Sequence, residues 1–195
     1  MKTYNMTSYK IILASNSPRR KELLGGLNLA FEVRVLPDVA EDFPESIAPM
    51  EVAEYLSKQK AKAYKGLIAN DELVITADTV VIVDSEILGK PHSEEEARTM
   101  LQKISGRKHQ VVTGVSLTTT TFQRSFSVST DVTFKQLSDE EISYYIKNYK
   151  PFDKAGAYGI QEWIGYVGVT SLEGSYFNVM GLPVQRIWEE LKAIS

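Results

Sequence analysis

The stretch Leu73–Val83, LVITADTVVIV, does more than any other to limit what this chain can become. Its near-continuous order of Leu, Val, Ile and Thr suits a β-strand covered on both faces, the centre of a sheet flanked by helices. It falls short of the roughly 20 apolar residues that a membrane-spanning helix requires, and Asp78 interrupts it. That aspartate is the anomaly. Burying an unpaired carboxylate costs several kcal/mol, so Asp78 needs a cation, a metal or a raised pKa. An aspartate tied to backbone N–H groups or to an internal arginine meets the same need for structural reasons alone. The cost of the placement favours a functional acid.

Around this run the chain alternates strand and helix. Tyr9–Ala14 reads as a buried strand and Ser15-Asn16-Ser17 as a tight turn. Ser17 as N-cap and Pro18 at the first helical position open a helix to Leu27, with Leu23, Leu24 and Leu27 on its core side. Phe31–Leu36 alternates like a half-buried strand, and residues 37–48 form an acidic loop. Pro49 opens a helix to about Lys65, with Val52, Leu56 and Ala63 on one face. Asp84-Ser85 turns the chain into Glu86–Leu88. The capping boxes Ser93-x-x-Glu96 and Ser138-x-x-Glu141 start helices reaching about Ile104 and Tyr149. Residues 108–120 and 124–136 pair as a hairpin, a strand lies near Tyr166–Thr170, and Pro183 starts a last helix ending near Ile194. This order predicts an α/β fold of mixed type, a central mixed sheet flanked by helices. With no internal repeat and no long linker, residues 9–195 are expected to form one domain behind a flexible extension of residues 1–8.

Composition narrows the function classes. Lys plus Arg number 22 against 25 for Asp plus Glu, a net charge of −3, and aromatic–basic interleaving is lacking. Both argue against a protein that wraps nucleic acid, though not against a small basic pocket for one polyanion. With no cysteine, disulfides, thiolate nucleophiles and zinc fingers drop out together. The start, MKTYNMTSYKIIL, has neither an apolar core segment nor a cleavage pattern, so the cytoplasm is the expected compartment.

Five short segments carry candidate chemistry. In SNSPRR, Ser15 to Arg20, a strand, a turn and a capped helix start place backbone N–H groups where anions bind. Arg19, Arg20 and Lys21 fill the first helical turn, where the helix dipole disfavours each cation by a few tenths to about 1 kcal/mol. A bound polyphosphate reverses that sign, while arginines turned to solvent or to the acidic loop explain the pattern as well. Lys90, in Leu88-Gly89-Lys90-Pro91, follows a strand end and fits either a reach towards Asp78 or a plain surface turn. On helix 49–65, Lys58, Lys62 and Lys65 share a solvated face and Lys60 falls on the Leu56–Ala63 face, directed inward or snorkelling. Gln161 closes DKAGAYGIQ. Its planar amide offers a donor and an acceptor suited to a base edge, and a packed irregular loop is the plainer alternative. Glu41 and Asp78 are the best pair for a hard divalent cation. His92 and His109 have no metal-type spacing, and neither a Walker A loop nor a GxSxG elbow occurs.

Taken together, ILASNSPRRKELL, Lys60 followed by AKAY, ITADTVVIV, ILGKP, ISGRKHQVVTGV, FDKAGAYGIQ and GSYFNVMGLP resemble the Maf-like nucleoside triphosphate pyrophosphatases, in the family's order over roughly residues 10–191. The resemblance implies a mixed α/β fold of the Maf/ITPase type with two lobes around a nucleotide cleft. It implies hydrolysis between the α- and β-phosphates of a nucleoside triphosphate with a divalent metal, Mg2+ or Mn2+, in a cytoplasmic homodimer that engages no nucleic acid and no membrane. On it, Asp78 is the proton acceptor, Ser15, Arg20, Lys60 and Lys90 handle phosphate, and Glu41 with Asp78 holds the metal. Arg19, Thr79 and Gln161 are similar to the substrate-sorting set of the dTTP/UTP branch, whereas the 7-methyl-GTP branch has an aromatic residue in place of Arg19. A non-catalytic nucleotide-binding regulator of cell division is the other reading that the resemblance permits. Glu162-Trp163, directly after Gln161, departs from the family's pattern.

Overall fold

The computed structural model describes residues 7–37, 39 and 42–194. The expected flexible extension over residues 1–8 lies outside the described residues apart from Thr7 and Ser8, where the Tyr9 N–H donates to Thr7 Oγ1 at 3.2 Å. Strand β1 (Lys10–Leu13) leads into α1 (Pro18–Gly25), β2 (Phe31–Val33), α2 (Pro49–Ala63), β3 (Glu72–Val83) and β4 (Glu86–Leu88). Then come α3 (Glu94–Ile104), β5 (Lys108–Thr118), β6 (Gln123–Phe134) and α4 (Asp139–Tyr149). A 3-10 turn at Ala155–Ala157 precedes α5 (Trp163–Gly168), β7 (Val169–Glu173), α6 (Tyr176–Met180) and α7 (Val184–Ile194). Among the described residues no helix is long and apolar enough to cross a membrane.

The strands form one seven-stranded mixed sheet in the order β2-β1-β3-β5-β6-β7, with β4 on β3. Strand β1 pairs in parallel with β2 and β3, as strands joined by helical crossovers do, whereas β3–β4 and β6–β7 run antiparallel. The long apolar run is therefore an interior strand, and every residue of β3 is buried except half-buried Thr79. Ser93 caps α3 through the Glu96 N–H, and Ser138 with Glu141 closes a full capping box on α4, as their spacing predicts.

Three local expectations are corrected. Regular pairing in β2 stops at Val33 rather than Leu36. Ala63 is exposed, because the inward stripe of α2 runs through Val52, Ala53, Leu56, Ser57 and Ala61, one residue out of phase with it. The strand expected near Tyr166–Thr170 is displaced by α5, and β7 starts only at Val169. The aromatic and β-branched content of WIGYVG reads as strand. Its burial has helical spacing instead, with Ile164 and Gly168 inside and Tyr166 84% exposed between them.

The chain divides into two compact units. The first runs to Asp78 and adds Thr113–Val128 and the chain from Gly181; the second holds Thr79–Val112 and Ser129–Met180. In the first unit α2 lies directly on β5. A Cβ at Gly114 would come within 2.2 Å of the Ala53 carbonyl, so no other residue fits at that crossing. Ser57 of α2 bonds Ser116 of β5 at 2.9 Å, and Thr76 Oγ1 of β3 donates to the Ser57 carbonyl at 2.8 Å. After β2, Arg34 grips Glu72 with two bonds of 2.9 and 2.6 Å. That guanidinium, with the Ala69 N–H, holds the Glu72 carboxyl down to about 2.

The second unit has its own core, in which Val81, Leu101, Ile104, Val132, Phe134, Ile142, Tyr145 and Ile164 pack together. His109 is buried in it, 2.7 Å from the Tyr158 hydroxyl through Nε2 and in ring contact with Phe134. Burial pushes the imidazole pKa from 6.5 down to about 4. Between those values the unfolded chain binds more protons than the folded one. The neutral histidine's contribution is therefore complete above about pH 6.5 and is lost as pH falls towards 4, roughly 3 kcal/mol in all. Urea unfolding measured from pH 4 to 7 should show that slope, and His109→Gln should flatten it. An unchanged slope in the variant would mean that other groups carry it.

Candidate active site

The SNSPRR segment folds as its residue types dictate. Strand β1 ends at Leu13, and the Ala14 N–H still donates to the Ile75 carbonyl of β3 at 2.9 Å. Ser15 is buried and its Oγ accepts the Ser17 N–H at 3.2 Å, fixing the turn. The Ser17 hydroxyl oxygen then accepts the Arg20 N–H as N-cap, with Pro18 in the first turn. No acidic residue occupies that turn. Arg19 and Arg20 are both half-buried, so neither simply trails into solvent. Arg20 Nε donates to the Gly181 carbonyl at 2.8 Å, which ties the SPRR turn to the end of the GSYFNVMGLP segment, 161 positions away.

Asp78 has the cation that its placement requires. Lys60 Nζ donates to Asp78 Oδ1 at 2.5 Å, and the two side chains are only 15% and 12% exposed. Lys60 lies one helical turn beyond Leu56 and Ser57 on the face of α2 that meets the sheet, and Lys58, Lys62 and Lys65 are exposed. The inward reading of Lys60 therefore holds. Pairing in a water-poor setting keeps the carboxylate's burial tolerable and places an acceptor beside a cation.

Among the described residues no group of three or more His, Asp or Glu could hold a metal ion, and Glu41 lies outside the described residues. Asp78 nonetheless suits a hard cation. Mg2+ commonly takes one or two carboxylates and fills its remaining positions with water and substrate phosphates.

Thr79, Lys90 and Gln161 belong to the second unit. Lys90 is exposed in the turn after β4. The Gly89 carbonyl just before it accepts the Gly156 N–H at 3.0 Å, so ILGKP and DKAGAYGIQ are tied together through their backbones. Gly156 has a φ of 68°, and a Cβ there would meet Val81 at 2.9 Å; the glycine serves a close approach to β3. Gln161 is half-buried, and its Oε1 is buried without a hydrogen-bond partner among the described residues. Such an acceptor is costly unless a donor arrives.

The residue reading missed the surroundings of Gln161. Tyr145 donates its hydroxyl proton to Glu162, and Lys154 Nζ lies 3.1 Å from the same carboxylate. Tyr145 is legible in sequence as a core position of its helix, but its partner stands 17 residues on in an irregular segment that no spacing rule reaches.

A mixed α/β sheet with a cationic, N-capped helix start and a buried acid–lysine pair describes a protein equipped to hold a polyanion. The comparisons narrow that class. The family model described as Maf-like protein matches residues 10–194, and the chain belongs to that family. It is 60% identical over 190 residues to a protein of Phocaeicola vulgatus named dTTP/UTP pyrophosphatase, covering 97% of this chain and 98% of that one. A protein of the same name from Porphyromonas gingivalis is 57% identical, with 96% of each chain covered. One from Flavobacterium psychrophilum is 50% identical over 179 residues, covering 92% of this chain and 91% of its own. The solved structure of the Staphylococcus aureus Ham1 protein matches with a TM-score of 0.50 at 16% identity, over 95% of this chain and all of that one. At that identity the likeness is one of fold.

Proposed function

We propose that this protein is a nucleoside triphosphate pyrophosphatase that hydrolyses dTTP and UTP to the monophosphate and pyrophosphate. The names carried by relatives 50–60% identical over nearly the whole chain support the substrates. The observation that carries the chemistry is the buried Asp78 held by Lys60. In this reading a water oxygen attacks the α-phosphorus, the bond to the bridging oxygen breaks, and pyrophosphate leaves with the electron pair. The water's proton passes to the Asp78 carboxylate. Lys60 holds Asp78 in place before substrate arrives and then shares its ammonium with the phosphates. The bond from Arg20 Nε to Gly181 fixes the plane of a guanidinium whose fork suits phosphate oxygens, and Ser15 and Lys90 complete the phosphate contacts. Asp78, with Glu41 as a second carboxylate, would hold Mg2+ or Mn2+, which when bound supplies positive charge to the phosphate oxygens. A homodimer in the cytoplasm is proposed with this reading, on the family resemblance alone.

Pyrophosphate release across a nucleotide panel with Mg2+, coupled to inorganic pyrophosphatase and phosphate detection, tests the whole proposal. dTTP and UTP are expected to lead. A preference for 7-methyl-GTP would move the chain to the other branch, and no turnover on any nucleotide would favour the non-catalytic regulator.

Arg19, Thr79 and Gln161 are proposed to sort substrate, with Gln161 reading the base. Its amide would accept N3–H and donate to O4 of uracil or thymine. Gln161→Glu removes the donor and should lower kcat/KM for UTP and dTTP by about 10- to 100-fold. Inhibition by bare tripolyphosphate should change little. Equal losses for both would mean that Gln161 does not read the base.

A further inference from the structure

We infer that Gly181 is a positioning residue, whose carbonyl holds the Arg20 guanidinium in the orientation that receives the triphosphate. The inference rests on the phosphate-binding role proposed for Arg20. The hold is the 2.8 Å bond from Arg20 Nε to the Gly181 carbonyl, and it acts on the functional group itself. A guanidinium carries its five N–H donors in one rigid plane. Its Nε–H points in a single direction within that plane. A carbonyl that takes this proton stops rotation about the Cδ–Nε bond and fixes the plane of the other four donors.

Both ends of the bond are anchored. Arg20 stands in the first turn of α1, which Ser17 caps and buried Leu23 and Leu24 seat. Beyond Gly181, Leu182 is fully buried and its carbonyl accepts the Val184 N–H at 2.9 Å. Buried Pro183 opens α7, its carbonyl accepting the Ile187 N–H at 3.0 Å, and confines Leu182 to extended backbone. Gly181 itself is buried with a φ of 112°, which strains any residue with a side chain. Helix α6 ends at the residue before it and buried Leu182 follows, so a φ turned negative is compensated at the same residue's ψ. That compensation turns the carbonyl.

The tether keeps a cation where local electrostatics opposes it. The first turn of α1 has no acidic residue, so the helix dipole disfavours Arg20 there until an anion arrives. A carboxylate would hold the arginine by cancelling its charge. A carbonyl holds it by direction and leaves the charge for the phosphates. Binding then loses less in ordering a long side chain, because its last torsion is set beforehand. A lysine, with no Nε–H and no planar fork, offers nothing for Gly181 to set.

The test is a double-mutant cycle of Gly181→Ala and Arg20→Lys, with a melting curve of each protein. It is read as kcat/KM for UTP and dTTP and as the inhibition constant of tripolyphosphate. Gly181→Ala should lower kcat/KM about tenfold and raise the inhibition constant about as much. In the Arg20→Lys background the same change should cost less than about threefold. A merely structural role would cost as much in both backgrounds. That result, or an unchanged kcat/KM in folded Gly181→Ala, overturns the inference. An Arg20→Lys protein with native kcat/KM and native tripolyphosphate inhibition removes the phosphate-binding role and this inference with it. Should Gly181→Ala fail to fold, proton exchange at Arg20 Nε in the wild-type protein decides the matter, followed by nuclear magnetic resonance and assigned by its loss in Arg20→Lys. Exchange at least about tenfold slower than at Arg107, whose side chain is 53% exposed, is expected. Equal rates at the two arginines overturn the hold on Nε.

Discussion

Replacing Asp78 with asparagine is expected to lower dTTP and UTP turnover by about 10²- to 10⁴-fold, the range that a positioned general base contributes. Asparagine keeps the size and one acceptor oxygen of the aspartate but cannot take a proton at neutral pH. The Lys60 ammonium, 2.5 Å from Asp78 Oδ1, would then face an amide. Losing one partner of a fully buried pair costs about 3–5 kcal/mol. Both side chains here retain some exposure and lysine has a flexible stem, so the cost should be smaller and the variant should fold. Pyrophosphate release together with a melting curve separates the two effects. A folded Asp78→Asn protein with near-native turnover would remove Asp78 from the reaction.

The largest stability effect should come from a single added methyl group. Gly114→Ala would place its Cβ 2.2 Å from the carbonyl carbon and oxygen of Ala53 and from the Glu54 nitrogen. All three are backbone atoms of α2, which cannot swing aside as a side chain tip can. Helix and strand would have to part, straining the Ser57–Ser116 bond and loosening the helix that carries Lys60. A loss of about 3 kcal/mol, and for a chain of this size a fall in Tm of about 6–12 °C, is expected. Gly89→Ala is the control, since a Cβ there meets nothing within 4 Å. Should the two variants melt alike, the crossing of α2 over β5 is not as close as described.

Much of this architecture was legible because it rests on local patterns. The β-branched run around Asp78 had to be an interior strand, and the serine-capped helices announced their own starts. Asp78 advertised its need for a counter-charge, and the phase of α2 set Lys60 apart from the solvated lysines, but it left inward and snorkelling directions equally open until the bond to Asp78 decided between them. The same phase argument failed at Ala63, because it followed too few anchor residues. WIGYVG was misread since its composition favours a strand, while tertiary packing of Ile164 and Gly168 sets a helix. Contacts such as Arg20 with Gly181, or Tyr145 with Glu162, join segments whose proximity only the folded chain creates.

The division of the chain has a consequence for anyone who would cut it. Passage from one unit to the other occurs after Asp78, Val112, Val128 and Met180, and the first three of these points fall inside β3, β5 and β6. No truncation at a single site yields either half intact, because each half is assembled from separated stretches of sequence. Neither can be expressed from one uninterrupted stretch of the chain.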